Sequence, residues 1–519
     1  MVRRHEVEAE LPAAARRANG GDRAARPLRQ GRLLRTVRKI GLAAAILLLA
    51  LVAVVLFNTL RLKAEPLGKV PPPLPTDTAA VQRLSKALQA QTISTETGPA
   101  SPEVFAAFHT FLEQSFPRVH AQLKREELPG GSLLFTWPGT DPSAPALLLM
   151  AHQDVVPVEA GSEGKWSAPP FSGTIAYGFV LGRGAIDDKG SLMAILEATE
   201  RLLARGYRPK QTIYLAFGHD EERGGEGAKA MAALLKQRGA NIGLGLDEGY
   251  AVLDGVIGGV NAPIAMIGIG EKGYVSFELT ATGAGGHSSM PANDNSAVRI
   301  ARAVERLAEH QMPARINGAS GAMLDGIAPY GGFAMRAALA NRWLTGPLLE
   351  RQLLAVPSTA AAIRTTTAPT ILNAGTKDNV IPQVAHAVVN HRILPGDTVE
   401  SVLQHDRRVI DDPQVQVRPA SFQQDPGTPV SPKSAEYRQF SALVRSSFPE
   451  AGISPGLVVG ATDGRHYQGV AKAVLRFVPI TMRKGDLTRF HGNDERIAIA
   501  DYMRAIAFYE RLMSSAERR

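Results

Sequence analysis

Apolar and polar positions along this chain fall into blocks with different periods. Residues 40–60 are an almost unbroken run of Leu, Ala, Val and Ile. At about 1.5 Å per helical residue, such a run is long enough to cross a hydrocarbon layer of roughly 30 Å. Shorter apolar runs at 146–151 and 212–217 read as strands of a parallel sheet buried on both faces. Between them Leu192, Ile195, Leu196, Thr199, Leu202 and Leu203 recur with helical spacing over 190–205. Alternating strands and helices from about Ala106 to Tyr250 predict a sheet with helices on both faces, which binds ligands at the carboxyl ends of its strands. The rhythm changes at Gly273. Strand 274–281, helix 296–310, strands 370–374 and 385–394, helix 398–410 and strand 415–419 follow the β-α-β-β-α-β order of a small ferredoxin-like unit, with residues 311–366 enlarging it. The expected fold class is α/β, with a central, mostly parallel sheet and an inserted ferredoxin-like α+β domain.

At 519 residues, the chain exceeds the size at which one core keeps growing, so two globular domains are expected. The divisions read 1–39 (a basic tail without a core, expected to be disordered), 40–60 (span), 61–80 (an extended linker carrying Pro66, Pro71, Pro72, Pro73 and Pro75), 81–271, 272–420 (the insert) and 421–519. The net charge of +9 sits wholly at the amino terminus. There are 13 Lys/Arg and 4 Asp/Glu through Lys63, which leaves 45 of each for the remainder. The folded portion is formally neutral, which argues against a nucleic-acid surface. Arg29, Arg32, Arg35, Arg38 and Lys39 crowd the leading flank of the apolar run, so the positive-inside rule places 1–39 in the cytosol and the folded portion outside it. A cleaved signal peptide is the alternative, although Leu62-Lys63-Ala64 lacks the small-x-small cleavage pattern. Cysteine is absent, which excludes disulfides and thiolate ligands.

His152-Gln153-Asp154 closes the run at 146–151. Side chains two apart on a strand share a face, so His152 could bind a metal while Asp154 orients it. Asp187-Asp188 follows Gly182 and Gly184 and opens the helix at 190–205, where acids also complement the helix dipole. The strand at 212–217 delivers Asp220-Glu221-Glu222 into a Gly-rich loop, and like charges crowded there repel unless cations hold them. His, Asp, Glu-Glu, Asp and His occur in that order along the chain. The set suits two divalent ions about 3.5–4 Å apart that share a carboxylate. His287, in a Gly-rich turn, reads by itself as a loop residue, while His219 and His466 lie near these motifs.

The segments His152-Gln153-Asp154-Val155-Val156-Pro157, Gly182 to Gly190, Asp220-Glu221-Glu222, Leu246-Asp247-Glu248-Gly249, Gly286-His287-Ser288-Ser289, Asn379-Val380-Ile381-Pro382 and His491-Gly492 together resemble the zinc peptidase family of aminoacylases, glutamate carboxypeptidase and carboxypeptidase S. Within it they are most similar to the branch of carboxypeptidase S and the secreted N-acyl amino acid hydrolase/synthase. The resemblance runs from about Pro75 to about Phe508 and implies two zinc ions per chain. It makes Asp187 the bridging ligand, with His152 and Asp247 at one ion and Glu222 and His491 at the other. Glu248, beside Asp247, is the alternative ligand. Glu221 matches the general base, and Asp154 the acid supporting the histidine. His287 matches a lid histidine that stabilises the oxyanion, often from the partner subunit of a homodimer. Arg465, Arg392 and the lid residue Asn379 match positions that contact substrate, and a planar guanidinium suits a free carboxylate. The implied activity is that of a membrane-anchored carboxypeptidase or N-acyl amino acid amidohydrolase. A dipeptidase or a catalytically silent binding protein of the same fold stand as alternatives.

Overall fold

The structure, a computed structural model, describes residues 27–515 except 293 and 317. A helix spans Pro27–Arg61. Proline at the first helical position is preset for helical φ, so residues 27–39, expected to be disordered, are helical instead. Residues 1–26 of that expected tail lie outside the described residues. Leu34–Arg61 qualifies by length and composition as a membrane span.

The Pro-rich stretch that follows takes no helical or strand structure before residue 78, yet its first residues are held to the body. Leu62 packs against Leu324, Ala328, Leu339 and Leu349, Glu65 pairs with Arg445, and the Gly68 amide donates to the Pro449 carbonyl at 2.7 Å. Asp77 then accepts from the Ala80 amide and caps the helix Thr78–Ala87, so the expected linker ends earlier than residue 80.

The main sheet has ten strands. Ile213–Gly218, Ala146–His152, Ile242–Asp247 and Ala471–Arg476 lie side by side and parallel. Ile264–Glu271 follows, antiparallel to Ala471–Arg476, and pairs with Gly452–Val458 in parallel. The sheet is mixed, where a mostly parallel one was expected. Lys124–Leu128 and Ser132–Trp137 form a hairpin whose three-residue turn, with Gly130 and Gly131 at φ 90° and 103°, is too short for a parallel crossover. Along Ala146–His152, Leu147, Leu149 and Ala151 join the core beneath the helices Lys189–Ala204 and Ile499–Met513. Leu148 and Met150 join the opposite core, which includes Met231 and Leu235 of the helix Glu226–Gln237. Burial of both alternating faces is the reason this strand is apolar throughout.

After Glu271 the chain builds a separate four-stranded antiparallel sheet in the order Thr366–Ala374, Val384–Ile393, Gly273–Thr282, Val415–Gln424. The helices Ser296–Glu309 and Val399–Ile410 contribute Ile300, Leu307 and Val402 to a core shared with Val275, Phe277 and Val389. Asn295 and Thr398 cap these helices. The order of elements is the one the hydrophobic pattern predicts. Four further helices, Gly318–Ile327, Phe333–Ala340, Arg342–Leu354 and Pro357–Ile363, fill the enlargement, and the first packs on Gly452–Val458.

Candidate active site

Three strand ends converge on one cluster. His152 closes Ala146–His152, Glu221 and Glu222 form a single 3-10 turn after Ile213–Gly218, and Glu248 follows Ile242–Asp247 directly. Asp187 precedes the helix Lys189–Ala204 across a cis peptide bond to Asp188. Asp187 presents one oxygen to each of two histidines: Oδ1 lies 2.9 Å from His152 Nε2 and Oδ2 lies 3.1 Å from His491 Nε2. His491 Nε2 is also 3.4 Å from Glu222 Oε2, and His152 Nε2 is 3.6 Å from Glu248 Oε1. His152, Asp187 and Glu222 form one group close enough to hold an ion, and His152, Glu221 and Glu248 form a second.

Asp247 was expected in this cluster, and Glu248 stands there instead. Adjacent strand residues point to opposite faces, so only one of the two acids can face His152. Asp247 turns away and accepts from the Gly464 amide.

The cluster is electrostatically unsettled in a way that cations would relieve. Burial and the neighbouring Glu248 charge push the Glu221 carboxyl well above the usual range, and burial together with Asp187 does the same to Glu248. Hydrogen bonds to Asp187 and then Glu222 carry His491 to about 10. Glu222 Oε1 is buried without a hydrogen-bond partner, as a carboxylate oxygen reserved for a metal would be. Carboxylate and imidazole donors in this number suit zinc.

The supports are built into the backbone. Asp154 lies 3.3 Å from His152 Nδ1 and accepts from Ser94 Oγ at 2.7 Å and from the Glu221 and Glu222 amides at 3.1 and 3.2 Å. One buried carboxylate thereby orients the imidazole and fixes the turn that carries both glutamates. Glu495 plays the corresponding part at Asp187, accepting from the Ile186 and Asp187 amides while its other oxygen pairs with Arg183 at 2.7 Å. Sequence reasoning missed Glu495, Ser94 and Phe422; the one cue to Glu495 was its position four residues after His491.

The cluster opens into a cleft of about 1060 Å³ lined by Asp187, Glu221, Glu222, Glu248 and His491, and also by Arg392, Arg465, Tyr274 and Phe422. Arg392 stacks on Tyr274 with 4.8 Å between guanidinium and ring centre, and Arg465 lies 6.0 Å from the Phe422 ring and 3.8 Å from Glu221 Oε1. His287 and Asn379 do not line the cleft. They sit together on the two-stranded ribbon Gly286–His287 and Val380–Ile381, exposed, with the Ser288 amide donating to the Asn379 carbonyl. His219 is buried against Ser132 and Phe105, and His466 is held by the Gly224 carbonyl, so neither faces the cleft.

The sequence profile of peptidase family M20/M25/M40 matches residues 148–515. The probable carboxypeptidase S-like 2 of Dictyostelium discoideum is 38% identical over 453 residues, covering 85% of this chain and 86% of its own. The human N-fatty-acyl-amino acid synthase/hydrolase PM20D1 is 38% identical over 444 residues, covering 85% of this chain and 88% of its own. Among solved structures, the M20 family metallo-carboxypeptidase Sso-CP2 of Sulfolobus solfataricus superposes with a TM-score of 0.62 at 19% identity, covering 84% of this chain and 98% of that one, a likeness of fold.

Proposed function

The chain belongs to peptidase family M20/M25/M40 and is a metallohydrolase of carboxypeptidase and aminoacylase type, and from that premise we propose a membrane-anchored enzyme with two zinc ions per chain that hydrolyses the amide bond next to a free C-terminal amino acid. Its substrate would be a small peptide or an N-acyl amino acid. One observation carries this reading: Arg392 and Arg465 line the same cleft as the carboxylate and histidine cluster, where a bidentate fork can hold a substrate carboxylate. The names of the two relatives, a carboxypeptidase S-like protein and an N-fatty-acyl-amino acid synthase/hydrolase, support the same substrate class.

In this proposal His152, Asp187 and Glu248 hold one ion, and Asp187, Glu222 and His491 the other. When bound, such ions polarise a carbonyl and acidify water. Glu221 takes the proton of the attacking water and later gives it to the leaving nitrogen. Arg465, beside Glu221, places the substrate carboxylate next to the group that moves the proton. The insert would act as a lid over the main domain. Because His287 and Asn379 are exposed outside their own cleft, we assign them to the cleft of a second copy in a homodimer, where His287 would donate to the oxyanion.

Arg392→Ala and Arg465→Ala should each weaken handling of substrates with a free α-carboxylate far more than of the matching amides, since removing one partner of a desolvated charge pair costs about 2–5 kcal/mol. Equal kcat/KM losses on acid and amide would place carboxylate recognition elsewhere. For topology, a reporter fused after Arg519 should be extracytoplasmic, and the protein should stay with membranes through alkaline washing. A soluble, shortened mature chain would favour the signal-peptide alternative.

A further inference from the structure

The helix Arg342–Leu354 carries its apolar residues on the wrong side for a soluble surface. Its buried side is small: Leu349 is buried and the half-buried Leu353 packs near it, both toward the cluster of Leu324, Ala328 and Leu339. Its exposed positions are Trp343, Leu344, Pro347, Leu348, Arg351 and Gln352, recurring at i, i+1, i+4 and i+5 along one outward stripe. Over its first two turns that stripe is wholly apolar, with Trp343 62%, Leu344 48% and Leu348 60% exposed. Phe333, at the start of the neighbouring helix Phe333–Ala340, and Val356, just past the end of Arg342–Leu354, are also about half exposed. An exposed apolar stripe of this kind marks a contact with another protein surface or with lipid.

The path of the chain says which. The apolar helix ends at Arg61, and Leu62, the next residue, is packed on the cluster formed by the inward side of these same helices. The Glu65–Arg445 pair and the Gly68–Pro449 hydrogen bond then hold the following residues to the body. From Leu60 to Leu62 the chain can extend only about 7 Å. The first residues after the span are therefore tethered to the corner of the body that bears the exposed stripe. Segment 333–354 contains Arg336, Arg342 and Arg351 against the single acid Glu350; Arg342 is paired with Asp325 at 2.7 Å, and Arg351 stands exposed on the stripe, where it suits a phosphate-bearing headgroup. Tryptophan in particular favours that boundary, with its ring in the acyl region and its N–H toward water.

We propose that this stripe, centred on Trp343, Leu344 and Leu348, is a membrane-interface contact that lies in the headgroup region of the same bilayer the span crosses. The proposal rests on the anchoring reading given above. It makes the body a docked domain rather than one hanging on a loose tether, with the insert's helices seated on lipid.

The test uses the full chain reconstituted into vesicles of phosphatidylcholine and phosphatidylglycerol brominated on the acyl chain near the headgroup, followed by an alkaline wash. Of the three tryptophans, Trp137 and Trp166 are buried, so quenching by bromine reports Trp343. Emission of the parent should fall relative to unbrominated vesicles, and that of Trp343→Phe should not. A washed, retained chain whose emission is the same in both vesicles overturns the contact while leaving the anchor standing. A chain that washes off overturns the anchor and the contact with it. If Trp343→Glu with Leu348→Glu turns a dimer into a monomer in detergent, read by sedimentation, the stripe is a contact between copies and the lipid assignment falls.

Discussion

Glu221→Gln is expected to bind metal and substrate as the parent does while its turnover falls by about 10² to 10⁴ or more. The amide keeps the shape of the side chain and its neighbours, and the Asp154 carboxylate still holds the turn through the Glu221 and Glu222 amides. What is lost is the ability to take a proton. The adjacent Glu222→Ala should behave differently. Its buried Oε1 has no protein partner and its Oε2 faces His491, so removing the carboxylate should release about one metal ion per chain and abolish activity with it. Metal analysis beside single-turnover kinetics on the two variants separates base from ligand. A Glu221→Gln enzyme that turns over normally, or that fails to retain metal, would refute the role given to Glu221.

The second large effect divides Glu248 from Asp247. Glu248→Ala should lose an ion and at least about 10²-fold in activity, because it removes the carboxylate facing His152. Asp247→Asn should keep both ions. Its cost should appear as lowered stability, about 1–3 kcal/mol, because a buried acceptor engaged by the Gly464 amide is weakened. Metal content and thermal denaturation of the purified variants decide the matter. Loss of the ion from Asp247→Asn with retention in Glu248→Ala would restore the assignment the sequence suggested.

That exchange marks where sequence reading runs out. The period of an apolar run identifies a strand and the residues at its end, which is why His152, Glu221 and Glu222 were legible as candidates; Asp187 was legible from the helix it precedes, and His491 only from the family resemblance. Which of two consecutive acids faces inward depends on the phase at which the strand stops, and Leu246-Asp247-Glu248 offers no marker of that phase. The strands and helices of the four-stranded antiparallel sheet were legible because they have clean, different periods. The hairpin at the sheet's edge was not, since a three-residue Gly-containing turn is a weaker signal than a long alternating block. The segment at 311–366 stayed unread for a related reason: its helices are apolar on more than one side, so no amphipathic face stands out. Glu495 escaped because a carboxylate that satisfies backbone amides has no motif; its importance lies in geometry alone.

The position of Ala471–Arg476 between Ile242–Asp247 and Ile264–Glu271 sets a schedule for biosynthesis. A strand made near the end of translation is central in the sheet, so one edge of Ile242–Asp247 stays open until residues 248–476 have been polymerised. At about 5–20 residues/s that is an interval of about 10 to 50 s. An apolar edge open for that long is a template for wrong pairing, so the nascent chain must be shielded or kept unfolded until its last strands emerge. Premature termination anywhere before Arg476 leaves a product that is an aggregation hazard and lacks His491 as well.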